Sequence, residues 1–422
     1  HAPHAAAHVA PGAAPGAAAV RSAAHPTGPG RPGWVASWTA GPMSGTSSSQ
    51  ATAGFDDQTV RNIIYPSVGG DALRVQLSNT FGSSPLTIGA VSVGVVLDGA
   101  QLAPGTSHFV SFGGRGSVTI PAGQQVVSDP LRVRVAPLQD LAISVYLPDK
   151  TGPATNHLQA QQTSYIGSGN LAGETDATGY STTTGSVFFA DGLDVESATA
   201  DGTVVAFGDS ITDGVGSLTG GDARWPNYLA RRLDAVLGDR APGVVDEGIG
   251  GNRVLRGSSC YGVSALARFK RDALSQPGVK AVILLEGIND IGFAGEPDTG
   301  CYAPNNPSVT AAQIEAGYRK LIAMAHARGV KVYGGTLTPF GGSNHAFGGY
   351  YGDAHGEAMR EQVNTWIKTS GAFDGVVDFA AATADPIDPT YLDPAENSGD
   401  SVHPGDVGYE AMANAIPLDF VG

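Results

Sequence analysis

Between Trp34 and about Ala200, apolar and polar residues alternate in short runs. Ala72-Leu-Arg-Val-Gln-Leu-Ser78, Leu131-Arg-Val-Arg-Val135 and Leu141-Ala-Ile-Ser-Val-Tyr146 follow this pattern, with Gly, Pro, Asn and Asp between the runs. A period of two with such punctuation predicts half-buried strands. The texture changes near Asp201. Short, almost wholly apolar runs now recur: Thr203–Phe207, Val244-Val245, Ala281–Leu285, Val330–Tyr333 and Val376-Val377. Amphipathic stretches separate them. One runs from Trp225 through Leu229, Leu233 and Val236 to Gly238. Another opens at Thr310 with Gln313 three residues on, a capping-box signature, carries Ile314, Tyr318, Leu321, Ile322 and Ala325 on one stripe, and stops at Gly329. A third carries Met359, Val363, Trp366 and Ile367 and ends at Gly371, and a last one follows Pro404.

The first pattern predicts an all-β sandwich or jelly-roll over residues 34–200. The second predicts an α/β domain over residues 201–422. Its five strands, buried on both faces and alternating with helices, form a parallel sheet in a flavodoxin-like, three-layer α/β/α arrangement. In such sheets ligands bind outside the carboxyl ends of the strands, which directs attention to the residues just after each apolar run.

Residues 1–33 are rich in Ala, Pro and Gly, with Val9 and Val20 the only large aliphatics. They bury too little to offset their ordering entropy and are expected to form a disordered tail left by a removed export signal, hence a secreted protein. The net charge is −15, and the only dense basic stretch is Arg268, Lys270 and Arg271. That disfavours nucleic acid as a partner, because phosphate neutralisation needs clustered Lys and Arg. The apolar runs are far shorter than the roughly 18 residues of a membrane span. A monomer is expected. Cys260 and Cys301 are the two cysteines. In an exported protein they suggest one disulfide, worth on the order of 3–4 kcal/mol for a closed loop of about 40 residues; the alternative is two free buried thiols.

The strand ends carry the chemistry. Gly208-Asp-Ser-Ile-Thr-Asp-Gly214 follows the first run, Gly248-Ile-Gly-Gly-Asn252 the second and Gly287-Ile-Asn-Asp290 the third, and Asp400-Ser-Val-His-Pro404 precedes the last helix. A hydroxyl, a base, a carboxylate to orient it and amide donors for an oxyanion are the set that ester hydrolysis needs. No G-x-S-x-G elbow occurs, so the standard α/β-hydrolase pattern does not apply.

These four segments, in this order, resemble the signature blocks of the SGNH, or GDSL, hydrolase family. The region before them is similar to the N-terminal domain of an arylesterase and acylhydrolase subfamily, some members of which are associated with xylanases. The resemblance implies Ser210 as nucleophile, His403 as general base and then acid, and Asp400 as its orienting partner. It implies an oxyanion hole from the backbone N–H groups of Ser210 and Gly251 and the side chain of Asn289, with Gly250 as the alternative to Gly251. The family usually has Asn where this chain has Asp246. No metal and no organic cofactor is implied.

Each of these residues has a plainer role open to it. Ser210 fits a helix N-cap, Asn289 a turn or cap, and the Asp400–His403 pair a surface ion pair. His326 fits a helix C-terminus, and Trp225 a core position. His345 and His355 lie in or beside a Gly/Tyr-rich stretch that reads as a rim loop, and His157 lies in the β region. The expected activity is that of a serine carboxylesterase on short acyl or aryl esters, including acetyl or feruloyl groups on plant polysaccharide. A lipase or phospholipase of the same family, acyl transfer in place of hydrolysis, and a carbohydrate-binding protein with a degenerate hydrolase half are the alternatives.

Overall fold

The computed structural model describes residues 33–297 and 306–422. The C-terminal half is built on a five-stranded parallel sheet: β1 (Thr203–Gly208), β2 (Gly243–Gly248), β3 (Val279–Leu285), β4 (Lys331–Gly335) and β5 (Gly375–Val377). The spatial order is β2-β1-β3-β4-β5. The apolar runs form the strands because both faces are covered: Val204, Val205, Phe207, Val282 and Ile283 are fully buried. The helix Ala311–His326 starts as expected, with the Thr310 hydroxyl accepting from Gln313 N and the Gln313 side chain returning to Thr310 N. Trp225 opens the helix Trp225–Leu237 and is buried against Phe379. The final helix, Asp406–Asn414, begins two residues after Pro404.

The N-terminal half is antiparallel and β-rich. One sheet orders the strands Gly33–Thr39, Ala190–Ser197, Ala72–Ser78 and Gln125–Val127. A second is centred on Gln58–Ile64, Leu141–Leu147 and Ala90–Asp98. Val60, Val145 and Val91 stand in register and face a core shared with Val75, Leu77 and Leu193 of the first sheet. The alternation does not mean a solvated outer face here. Arg61, Ser144 and Ser92, also in register, are buried. Arg61 is satisfied by Ser144 Oγ and the carbonyls of Ala100 and Glu174, and Tyr180 covers its guanidinium. Leu131–Val135, expected as a strand, makes only isolated bridges from Leu131 to Leu73 and from Val135 to Gly70. Between the two bridges Val133 N donates to the Leu131 carbonyl, a tight local turn that breaks the ladder, and Pro130 and Pro137 keep it from extending on either side.

The two halves meet along β2, an edge of the parallel sheet. Ser67 Oγ accepts from Val244 N, and Thr39 Oγ donates to the Asp246 carbonyl. A Cβ on Gly243 would stand 1.9 Å from the Ala36 carbonyl oxygen, so only glycine lets the backbones approach this closely. The Asp246 carboxyl is buried here. Burial pushes its pKa up to about 7, against the pull of Arg224 and the Gly248 amide, with Asp213 adding to the rise.

Arg268 lies at the carboxyl end of the sheet and is fully buried. It sits on the helix Ala265–Phe269, which continues as a π-helical turn, Lys270–Leu274. Its guanidinium donates to the carbonyls of Gly208 at the end of β1 and Glu247 near the end of β2, to Asn252 Oδ1 and to Asp272. Phe207 lies beneath it at 4.0 Å. Of the basic stretch read from the sequence, Arg268 is therefore interior, whereas Lys270 is exposed and Arg271 partly so.

Two expectations follow. Arg268→Met leaves these acceptors unpaired in the interior and lowers unfolding free energy by about 3–5 kcal/mol, read by urea titration. The folded pKa of Asp246 exceeds its unfolded value, so its stabilising contribution is complete in acid and is lost as pH rises through about 7. Asp246→Asn therefore makes the fall in thermal midpoint between pH 5 and pH 8 shallower than in wild type.

Candidate active site

β1 ends at Gly208, and the chain turns directly into one helical turn, Ser210–Asp213. The N-cap is Asp209, whose side chain accepts from Ile211 N, and Gly214 closes the turn in the left-handed region at φ 90°. The capping task thus falls to Asp209, which leaves the Ser210 hydroxyl for another partner. That partner is His403, whose Nε2 lies 2.7 Å from Ser210 Oγ. On its other side His403 Nδ1 lies 2.5 Å from Asp400 Oδ2. A carboxylate only accepts, so Nδ1 carries the proton and Nε2 presents its lone pair to the serine hydroxyl.

The loop that holds this pair is locally determined. Asp400 Oδ1 accepts from the backbone N–H groups of Val402 and His403, and Asn397 Oδ1 accepts from those of Gly399 and Ser401. Ser401 takes φ 66° to make the bend. Burial alone raises the Asp400 pKa, but the His403 hydrogen bond, its charge and the backbone donors outweigh it and hold the group below the usual carboxylate range. The opposite holds for the carboxyls deeper in the sheet. Burial drives Asp209 to about 7 and Asp290 to about 6, and raises Glu286 well above its ordinary value.

The expected oxyanion donors lie on the strand ends flanking the serine, because β1 sits between β2 and β3. Ser210 is the first residue of its helical turn, so its N–H has no intrahelical acceptor. Gly251 follows β2 at φ 73°, and a Cβ there would stand 2.4 Å from the Tyr261 ring. Gly250 is less constrained: its Cβ would meet Gln159 Oε1 at 2.2 Å, the movable end of a side chain. Asn289 is buried in the first turn after β3. Its Nδ2 donates to the Asn252 carbonyl, and its Oδ1 accepts from Tyr351 OH. The former contact fixes which end of the amide presents N–H groups, because a carbonyl only accepts. Asp290 accepts from Val254 N and Leu255 N and so ties the β2 loop to the β3 end.

Several contributors were not evident from sequence. Tyr351, from the Gly/Tyr-rich stretch, orients Asn289 and is buried, so that stretch is only in part a rim. Aromatic rings run from Tyr261 to Phe293, Tyr351, Phe347 and the His403 imidazole, with successive centroids 5.3–5.9 Å apart. His157 is buried and bound to Asp213. His326 ends its helix and pairs with Asp374. Cys260 is described, but Cys301, and with it the expected pairing, lies outside the described residues. Among the described residues, no three His, Cys, Asp or Glu side chains are grouped to hold a metal ion, and no helix is long and apolar enough to cross a membrane.

An acetylxylan esterase from Geobacillus stearothermophilus is similar at 23% identity and a TM-score of 0.38, over 53% of this chain and 95% of that one. A GDSL-like lipase from Bacteroides thetaiotaomicron is similar at 18% identity and a TM-score of 0.37, over 52% and 88%. No curated protein matches the chain. The model of the GDSL-like Lipase/Acylhydrolase family matches residues 206–411, a span that contains Ser210, Gly251, Asn289, Asp400 and His403. This half of the chain is a GDSL-like lipase/acylhydrolase domain.

Proposed function

We propose that the protein is a secreted serine ester hydrolase with Ser210 as nucleophile, His403 as base and acid, and Asp400 as the group that orients and stabilises the imidazole. The observation that carries this reading is the continuous relay from Asp400 through His403 to Ser210, at 2.5 and 2.7 Å. His403 Nε2 takes the hydroxyl proton as Oγ attacks the ester carbonyl. The Ser210 and Gly251 amides and the Asn289 side chain receive the oxyanion, and one such donor is worth about 3–4 kcal/mol of barrier. His403 then passes its proton to the departing alcohol, and water cleaves the acyl-enzyme by the same route. Short acyl or aryl esters are the proposed substrates, among them acetyl and feruloyl groups on polysaccharide. The run of rings from Tyr261 to Phe347 favours an aryl group beside the imidazole. An extracellular setting favours a disulfide between Cys260 and Cys301, and the absence of labelled thiols in denatured, unreduced protein checks that pairing.

Ser210→Ala is expected to lower hydrolysis of p-nitrophenyl acetate by about 10³-fold or more and to abolish labelling by a fluorophosphonate probe. A variant that keeps near wild-type turnover overturns the mechanism. A panel of p-nitrophenyl esters is expected to show turnover falling as the acyl chain lengthens. A maximum at long chains favours a lipase, and a wild-type protein that neither hydrolyses nor labels favours a carbohydrate-binding protein.

A further inference from the structure

We propose that His157, from the N-terminal β region, is a positioning residue of the hydrolytic site: it clamps Asp213 and thereby the helical turn that carries Ser210. This rests on the reading of Ser210 as nucleophile and adds to it a role for the other half of the chain.

The turn Ser210–Asp213 is four residues long. A helix that short has the cost of nucleation without the gain of propagation, so its position depends on what holds its ends. Asp209 caps the start. At the far end Asp213 is buried, and its Oδ1 lies 2.8 Å from His157 Nε2. The same residue is pressed from below by β2, since a Cβ on Gly248 would stand 2.2 Å from Asp213 N. Asp213 N donates to the Asp209 carbonyl and Gly214 N to that of Ser210, so a shift of Asp213 is transmitted across the whole turn.

His157 is itself immobilised. It is buried, and Nδ1 lies 2.9 Å from the Gly41 carbonyl oxygen. Both of its neighbours are acceptors, which a ring with protons on both nitrogens satisfies. Burial favours the neutral ring, but Asp213, the Gly41 carbonyl and Asp246 outweigh it and raise the His157 pKa. The side chains of His157, Asp213, Arg224 and Asp246 line one internal cavity, so the clamp is part of a charged cluster that joins the halves. The chain beyond His157 keeps to the same edge. Gln159 abuts Gly250, the Gln161 carbonyl accepts from Gly220 N, and Gln162 Nε2 donates to Asp222.

The test compares His157→Gln with His157→Asn. The Gln amide extends far enough to reach Asp213, whereas the Asn amide occupies the Nδ1 position and reaches only Gly41. Each is assayed on p-nitrophenyl acetate and with the fluorophosphonate probe, at a temperature where near-UV circular dichroism shows it native. His157→Asn is expected to lower kcat and the labelling rate together by about tenfold or more with KM within about threefold, the effect of a displaced nucleophile. His157→Gln is expected to stay within about threefold of wild type. Equal turnover in the two variants, whether both high or both low, overturns the proposal. A wild-type protein without Ser210-dependent hydrolysis instead overturns the functional reading on which it rests.

Discussion

The carboxyl end of the parallel sheet depends on one buried cation. Parallel strands end in carbonyls that the ladder no longer satisfies, and here Gly208 and Glu247, at the ends of β1 and β2, are buried. Arg268 answers this with a planar fork that reaches the last carbonyl of β1, a carbonyl near the end of β2 and the side chain of Asn252. A lysine offers a single point charge and cannot span three acceptors in different directions. The three acceptors belong to the segments just before Ser210, just before Gly250 and just after Gly251. One side chain therefore sets the spacing between the proposed nucleophile and the loop proposed to bind the oxyanion. The π-helical turn that follows Arg268 is consistent with a helix whose path is subordinated to that placement.

Around this cation the carboxyls divide into two populations by environment. Asp209, Asp290, Glu286 and Asp246 are buried with few or no charged donors, and desolvation raises each of them. Asp400 is less buried and receives three N–H donors, so its charged form prevails. The imidazole is thereby paired with a carboxylate that holds its charge, while the sheet interior limits its own negative charge. A chain with a net charge of −15 has an evident need for that division.

Much of the hydrolase half was legible in the sequence. The five apolar runs became the five strands, because burial on both faces leaves little freedom in composition. Thr310 and Gln313 marked a helix start, since a capping box is a local contact. Asp400 and His403 could be paired for the same reason. What stayed hidden was non-local or depended on burial. Arg268 lies beside Lys270 and Arg271, and linear charge density does not distinguish a guanidinium inside a core from one in water. Tyr351 is 62 residues from Asn289, and His157 is 56 from Asp213, with no periodicity linking either pair. Leu131–Val135 failed in the opposite direction: its alternation was genuine, but Val133 N bonds back to the Leu131 carbonyl, a local turn that interrupts the ladder.

The pairing of distant parts leaves one requirement. The Asp400–His403 unit is assembled within four residues and would hold its shape wherever its loop lay. It meets Ser210 because the final helix is tied to the loop that follows the serine: Tyr409 OH donates to the Val215 carbonyl, and Asp406 accepts from Leu218 N. The serine turn is thus held from three sides, by the last helix through residues 215–218, by β2 beneath Asp213, and by the β region through His157. Each hold alone fixes one direction. Together they constrain a four-residue turn that has little stability of its own, and the 2.7 Å contact between Ser210 and His403 is the consequence.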